Sequence, residues 1–237
     1  MTKVDFCAGT HTGLREVNED SYLSLPEYGV WVIADGMGGH GAGDTASQIA
    51  VLEIARLIKQ GSPLAPAIAS AHRAIQTAAL NGDGSSDMGA TVVAVKLDGL
   101  HYEIDWVGDS RAYLWNGALQ QLTTDHSYVQ LLLNSGMITQ TEALTHPGRN
   151  IVVQALGVGG MNKTVINIDH VFGELNQGDS LLLCSDGLTG EVSEESIAAI
   201  LAEKSSNQCK VNRLIEAALA AGGKDNVTVT VITKTSS

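Results

Sequence analysis

The sequence predicts one domain that mixes helices and strands, a fold of the α+β class. Apolar runs without alternation, such as Val30 to Ala34, are typical of strands covered on both faces. Residues 42–60 and 64–80 carry apolar side chains at helical spacing, and three strand patterns follow between residues 91 and 115. The 237-residue chain has no Ser/Gly/Pro-rich linker or charge block, so we expect residues 1–237 to share one core.

Composition and charge exclude several classes of function. The formal net charge of −12 argues against a nucleic-acid partner, because phosphate backbones are bound by surplus Lys and Arg. The sequence has neither an export signal nor an apolar segment of membrane-spanning length. Cys7, Cys184 and Cys209 are widely spaced and form no CxxC motif, which is typical of reduced thiols. We therefore expect a cytoplasmic protein with no membrane partner, and a monomer.

The first strands surround a polar loop. Lys3 to His11 is predicted to be a strand, and Ser21 to Leu25 is predicted to be another. Between them lies Arg15 to Asp20, a charged and amide-bearing run that a simple interpretation assigns to a solvated loop. Pro26 to Gly29 then forms a turn into the strand that ends at Asp35.

Residues 117–160 carry weaker patterns. Asp125 is predicted to cap a short helix through Leu133, and Thr139 to cap another turn. His126 and His146 lie in this segment and are interpreted as surface residues. Long connections of this kind often form lids or binding surfaces.

The last part of the chain returns to regular patterns. Thr164 to Phe172 is predicted to be a strand, and the run from Ser180 leads to a second apolar strand that ends in Asp-Gly. Ser193 is predicted to cap a helix, and a further helix is expected to end at Gly222. A β-branched run from Val227 to Thr233 predicts the final strand.

Four carboxylates share one kind of position in these patterns. Asp35, Asp109 and Asp186 end strands beside a glycine, and Asp225 precedes a strand. One such Asp is ordinary turn chemistry, but four of them at core strands predict a cluster whose repulsion requires cations. Carboxylate oxygens favour Mg²⁺ or Mn²⁺, and no Cys or His cluster has zinc spacing. Two ions sharing a carboxylate would activate a bridging water.

Arg15 adds a phosphate clamp to this hypothesis. A guanidinium grips two phosphate oxygens and does not titrate, so activated water together with Arg15 suggests phosphoester hydrolysis. Gly36, Gly38 and Gly41 also match a dinucleotide fingerprint, but no second parallel strand with a terminal acidic residue follows in the required place.

These residues belong to motifs that are similar, in order and spacing, to those of the metal-dependent type 2C protein phosphatases (the PPM family). The resemblance spans about residues 5 to 233 and is closest to the compact bacterial members. The motifs are Arg15-x-x-Asn18-Glu19-Asp20, Asp35-Gly36-Met37-Gly38-Gly39, Gly89-Ala90-Thr91, Gly108-Asp109-Ser110-Arg111, Ser185-Asp186-Gly187-Leu188 and Asp225-Asn226.

The resemblance implies a four-layer α-β-β-α sandwich with two central antiparallel sheets and a variable flap over about residues 118–160. It implies hydrolysis of phosphoserine and phosphothreonine in partner proteins by direct attack of a metal-bridging water. Two Mg²⁺ or Mn²⁺ ions would occupy the core site, and a third would bind more weakly.

The family's residue roles carry over to matching positions of this sequence. The roles are as follows: Asp35 would bridge two ions; the Gly36 carbonyl would bind one, and Asp186 and Asp225 the other; Asp109 would hold the third ion together with Asp186; Glu19 and Asp20 would act through metal-bound waters; and Arg15 would hold the substrate phosphate.

One position departs from many eukaryotic members. Where those members have a histidine after the Asp-Gly pair, a candidate general acid, this chain has Met37. His40 or a metal-bound water would then supply the proton, and an exposed loop position for His40 is an equally open interpretation. Two alternative functions also stay open: a phosphatase of small phosphoesters, and a non-catalytic phosphoprotein-binding member.

Overall fold

A computed structural model describes residues 3–159 and 165–235, without the side chain of His40. In chain order the elements are β1 (Val4–His11), β2 (Asp20–Leu25), β3 (Val30–Met37), α1 (Ala42–Lys59), α2 (Leu64–Asn81), β4 (Gly89–Ala90), β5 (Val92–Asp98), β6 (His101–Val107), β7 (Arg111–Trp115), β8 (Leu119–Gln121), α3 (Tyr128–Asn134), α4 (Gln140–Thr145), β9 (Asp169–Glu174), β10 (Ser180–Cys184), α5 (Asp186–Thr189), α6 (Glu194–Leu201), α7 (Asn207–Ala221) and β11 (Val227–Lys234).

The strands form two antiparallel sheets. The first sheet has the order β1-β11-β10-β7-β8, and the second has the order β2-β3-β5-β6-β9, with β4 paired to β3. The first strand in the chain, β1, therefore pairs along its whole length with the last, from Val4 opposite Lys234 to His11 opposite Val227.

Three apolar clusters hold the layers together. The inner faces of the sheets meet in a cluster that includes Trp31, Ile104 and Leu181. The outer face of the second sheet packs against α1 and α2, and the outer face of the first sheet packs against α6 and α7. The molecule is thus a four-layer α-β-β-α sandwich, which confirms the predicted fold class.

Most predicted elements lie where the sequence places them. The Thr139 side chain caps α4 in a reciprocal arrangement with Glu142, and Ser193 caps α6 by accepting a hydrogen bond from the Ser196 N–H. The final helix ends at Ala221, immediately before Gly222. Among the helices within the described ranges, none combines the length and the apolar character that a membrane crossing requires.

The strand predicted from Thr164 to Phe172 is wrong at its beginning. Thr164 lies outside the described residues, and the strand that follows begins only at Asp169. Asp169 pairs with Trp106, next to the end of β6 at Val107, so the preceding residues have no partner strand. Ile166 and Ile168 still alternate, because they pack against the cluster beneath α1 and α2.

The predicted cap of the short helix in the flap segment is also wrong. Ser127, and not Asp125, caps α3 through its side-chain oxygen. The Asp125 carboxylate instead accepts a two-pronged hydrogen bond from Arg111 at 2.7–3.1 Å. The segment from 118 to 160 contains β8, α3 and α4, and its role as a flap stays a prediction.

Candidate active site

The second sheet contributes two adjacent carboxylates. Asp35 lies within β3 and not at its end, because the strand continues through Gly36 and Met37, which pair with β4. Asp20 begins β2 directly opposite Asp35 in the antiparallel register. Paired residues on one face lie close together, so the strand pairing alone brings these two acidic residues to the same place.

The first sheet supplies the carboxylates that face them. Asp186 is the first residue of α5, just after β10, and Asp225 lies two residues before β11, in the connection from α7. Asp186 and Asp109 both lie near enough to Asp35 for their charges to raise its pKa. Carboxylates that the sequence separates widely therefore meet at one edge of the gap between the sheets.

Burial and mutual repulsion raise the pKa values of four of these carboxyl groups. Burial and then repulsion from Asp20 and Asp186 raise the pKa of Asp35 well above its usual range. Burial, followed by repulsion from neighbouring aspartates, raises the pKa values of Asp20 and Asp109 to about 7, and that of Asp186 is raised by burial and by Asp225. The predicted electrostatic conflict is present, and a divalent cation would relieve it.

Asp20 is held by hydroxyl groups from the opposite sheet. Its Oδ2 accepts hydrogen bonds from Ser185 at 2.8 Å and Thr228 at 2.6 Å. Its other oxygen, Oδ1, is buried and has no hydrogen-bond partner among the described residues. A buried acceptor of this kind is costly without a partner, and a metal-bound water is one group that would satisfy it.

Backbone contacts fix Glu19 and Gly36 beside this cluster. The Glu19 carbonyl accepts the Gly36 N–H at 3.1 Å, and the Glu19 carboxylate accepts the Gly43 N–H at 3.2 Å. A side chain at Gly36 would overlap the Gly43 carbonyl, so only glycine allows this close approach.

Arg15 reaches the site from the loop before β2. Its Nη2 donates to Asp225 Oδ2 at 2.7 Å, and its side chain is 56% exposed. Asn226 holds this loop by donating from its side-chain nitrogen to Thr12 O at 2.8 Å and Val17 O at 3.0 Å. The run around Arg15 is therefore anchored to the start of β11 rather than being only a solvated loop.

The site fits hard divalent cations. Its donors are carboxylate oxygens and a glycine carbonyl, which Mg²⁺ and Mn²⁺ prefer. Among residues 3–159 and 165–235, no three or more His, Cys, Asp or Glu side chains already converge closely enough to hold a metal ion. This arrangement suits ions that keep several waters, and it does not suit a closed zinc site.

Comparison with known proteins then decides the family. The sequence model described as Protein phosphatase 2C matches residues 9–221 of this chain. The chain belongs to the protein phosphatase 2C family. It is accordingly a phosphatase, as the sequence resemblance predicted.

Named relatives and solved structures agree with this assignment. Serine/threonine phosphatase stp of Listeria welshimeri is 37% identical over 233 residues, covering 92% of this chain and 91% of the relative. The crystal structure of the Mycobacterium tuberculosis phosphatase PstP/Ppp has a TM-score of 0.90 and 35% identity, covering 98% of this chain and 99% of that one. The PstP catalytic domain in complex with two manganese ions has a TM-score of 0.87 and 34% identity, with the same coverage of 98% and 99%.

Every predicted site residue of this phosphatase 2C family member whose side chain the structure describes is brought to the same edge. Asp20, Asp109, Asp186 and Asp225 lie close enough to Asp35 to repel its charge, and Arg15, Glu19 and Gly36 lie beside them. The side chain of His40, the remaining predicted residue, lies outside the described part of the chain.

The sequence analysis missed residues that position the site. Thr91 donates its backbone N–H to Asp35 O at 2.8 Å, and its hydroxyl lies 2.7 Å from that of Ser110. Only the Gly89-Ala90-Thr91 motif pointed to this position.

The interpretation of His126 as a surface residue is wrong, because its side chain is only 13% exposed and stacks against Trp106.

Proposed function

We propose that this phosphatase hydrolyses phosphoserine and phosphothreonine in proteins and depends on Mg²⁺ or Mn²⁺. The observation that supports the proposal most directly is the convergence of carboxylates from both sheets beside Arg15. An acidic cluster alone would repel a phosphate dianion, so substrate binding there requires both bound cations and a guanidinium.

The carboxylates divide into two groups around Asp35. Asp35 lies between Asp20 on its own sheet and Asp186 from the other, a position suited to contacting two ions. We assign one ion to Asp35 and the Gly36 carbonyl, and the other to Asp35, Asp186 and Asp225. When bound, the pair of ions supplies Lewis acidity and an activated water for attack on phosphorus.

Glu19 and Asp20 would act at a greater distance from the ions. Glu19 is held by backbone N–H groups, and Asp20 keeps one buried oxygen without a partner. We propose that both accept hydrogen bonds from waters that surround the ions. This role is consistent with Asp20 being fixed by Ser185 and Thr228, because those bonds fix the direction of its free oxygen.

Arg15 is proposed to bind the substrate phosphate. Among the described residues its guanidinium donates only to Asp225, which leaves its other N–H groups available for phosphate oxygens. Nearby carboxylates raise its pKa, led by Asp225, so the group stays charged.

Asp109 is proposed to hold a third, weaker ion together with Asp186. The two carboxylates lie close together, since repulsion from Asp186 adds to the effect of burial in raising the pKa of Asp109.

The test of the metal assignment is hydrolysis of a phosphothreonine peptide with and without Mn²⁺. Asp35→Asn should abolish turnover at every Mn²⁺ concentration, because it removes the carboxylate that contacts both ions. Asp98→Asn is the matched control, since Asp98 is exposed at the opposite end of β5. Full activity of Asp35→Asn, or wild-type turnover that is indifferent to Mn²⁺ and Mg²⁺, would contradict the proposal.

The Arg15 assignment has a closely matched control. Arg15→Ala should raise KM roughly 10-fold or more with a smaller change in kcat, the effect of losing a charged hydrogen bond worth about 1.5–3 kcal/mol. Arg56 is 52% exposed and pairs with Glu53 at 2.7 Å, an exposure and a distance close to those of Arg15 and its bond to Asp225. Arg56→Ala should leave both constants unchanged, and equal effects of the two substitutions would refute a phosphate clamp.

Two substrates separate the remaining alternatives. A protein phosphatase should turn over the phosphopeptide more efficiently than p-nitrophenyl phosphate, whereas a phosphatase of small esters should not.

The variant His40→Asn tests whether His40 is the general acid. If His40 protonates the leaving group, the variant should lose more activity on the phosphopeptide, whose alkoxide leaving group needs a proton, than on p-nitrophenyl phosphate. Equal losses would favour a metal-bound water.

A further inference from the structure

Two hydrogen bonds join the flap segment to the turn that carries Asp109. The Gly108 N–H donates to His126 Nδ1 at 3.1 Å, and the His126 backbone N–H donates to Gly108 O at 2.9 Å. Both hydrogen-bonding groups of the Gly108 backbone are therefore bound to one residue, eighteen positions away along the chain.

The His126 ring is itself fixed on several sides. It stacks on Trp106 with ring centres 6.3 Å apart and planes 29° apart, and its Nε2 lies 3.4 Å from Asp169 Oδ2. Because Nδ1 accepts from Gly108, the ring proton of the neutral imidazole lies on Nε2, facing that carboxylate. Trp106 is fixed in turn, since its Nε1 donates to Thr124 O at 2.9 Å. Because these contacts fix the His126 ring, its Nδ1 points in one direction, toward the Gly108 N–H.

The turn depends on this support. Gly108 has φ +107°, a conformation that favours glycine, and a Cβ there would collide with Thr91. Asp109 is 7% exposed and directly follows Gly108 in the chain. The orientation of the turn that His126 holds therefore determines where the Asp109 carboxylate lies.

A second connection from the same segment lies next to the turn. Arg111 donates to both carboxylate oxygens of Asp125, the neighbour of His126. Arg111 begins β7, so this pair fixes the far side of the turn. Asp109 therefore lies between two contacts with the flap segment. His126 bonds to the backbone of Gly108, immediately before Asp109, whereas Asp125 bonds to the side chain of Arg111, two residues after it.

We propose that His126 is a positioning residue, whose Nδ1 holds the Gly108–Asp109 turn in the orientation in which Asp109 binds the third, weaker metal ion. The inference rests on the proposed function, because that function assigns the ion to Asp109. Loss of a group that orients a metal ligand commonly lowers metal affinity 10–100-fold. The flap segment would thereby determine whether the third site is filled, although it contributes no ligand assigned here.

Two substitutions of His126 separate its two ring nitrogens. His126→Asn keeps an acceptor near the Nδ1 position but loses the approach to Asp169, whereas His126→Gln places its amide near the Nε2 position and removes the acceptor for Gly108. His146 is the matched control, because its Nδ1 also accepts a glycine N–H, from Gly148 at 3.0 Å. His146→Gln breaks the same kind of bond within the flap segment, away from Asp109.

The measurement is calorimetric titration of the full chain with Mn²⁺, together with thermal unfolding in EDTA. We expect wild type and His146→Gln to bind a weak third Mn²⁺, His126→Gln to bind it about 10–100-fold more weakly, and His126→Asn to lie within about 3-fold of wild type. The two tighter ions should bind all four proteins alike, and the unfolding temperatures in EDTA should agree.

Three results for the His126 variants would overturn the inference. His126→Gln could bind the third ion as wild type does, His126→Asn could lose as much affinity as His126→Gln, or His126→Gln could unfold at a lower temperature in EDTA with all three sites weakened alike. A wild-type chain that binds only two Mn²⁺ and hydrolyses the phosphopeptide would also overturn it, while leaving the proposed function standing. Failure of wild type to bind any Mn²⁺ or to hydrolyse the peptide would instead refute the proposed function itself.

Discussion

Asp105 is the acidic residue whose burial should have the clearest effect on stability. It lies on β6 opposite His170, is 0% exposed, and neither carboxylate oxygen has a hydrogen-bond partner among the described residues. Burial, with a smaller contribution from Glu103, raises its pKa from 3.8 to about 7, while His170 acts in the opposite direction. No assigned function requires this carboxylate.

The pKa shift sets the sign and size of the effect. Below pH 3.8 both the folded and the unfolded chain carry a protonated Asp105, so there is no penalty. Between pH 3.8 and about 7 the unfolded chain loses the proton and the folded chain keeps it, so the free energy of unfolding falls by roughly 1.4 kcal/mol per pH unit. Above pH 7 the penalty is constant at about 4 kcal/mol.

Asp105→Asn removes this titration and should flatten the pH dependence. The assay is urea unfolding in EDTA at pH 5 and pH 8, with Asp98→Asn as the exposed control. The cost of burying the Asn amide is the same at both pH values. The variant should therefore gain about 2–3 kcal/mol relative to wild type between pH 5 and pH 8. An identical pH dependence for wild type and Asp105→Asn would refute the argument.

Three further predictions follow from contacts at and near the site. Gly36→Ala should prevent formation of the site, because its Cβ would overlap the Gly43 carbonyl; circular dichroism and Mn²⁺ titration would detect this, and normal Mn²⁺ binding would contradict it. Asp125→Ala should lower the free energy of unfolding by about 3 kcal/mol, since it removes the carboxylate closest to the mostly buried Arg111 and leaves only Tyr113 and the more distant Glu194; urea unfolding would measure this loss. Saturating Mn²⁺, at about 100 times its dissociation constant, should stabilise the folded chain by about 2.7 kcal/mol per site and raise Tm by roughly 5–10 °C; the shift should disappear in Asp35→Asn, and its persistence there would place the ions elsewhere.

Much of the fold could be predicted because local patterns decide it. The run from Val30 to Ala34 is apolar throughout because β3 lies between two other strands with both faces covered. The helix caps at Thr139 and Ser193 are local hydrogen bonds, which explains why the sequence locates them. The carboxylates Asp35, Asp109 and Asp186 could also be located from the sequence, because each lies beside a glycine next to an apolar strand pattern.

The parts that were missed depend on contacts between distant residues. Nothing near His126 in the sequence shows that its ring faces Trp106 and Gly108. The same is true of Asp125, which lies in the connection between β8 and α3 and whose partner Arg111 begins β7. A strand prediction such as that for residues 164–172 fails when the alternation is real but the neighbouring strand ends first.

The pairing of the first strand with the last has a consequence for how this enzyme matures. Within the described part of the chain, β1 pairs only with β11, which it meets across more than two hundred positions. Until β11 has been synthesised and inserted between β1 and β10, the N-terminal strand has no edge to join, and Asp225 cannot approach Asp186. Contacts this far apart in sequence are entropically slow to form. A nascent chain that still lacks β11 should thus be catalytically silent, and activity should appear only after this strand has been added.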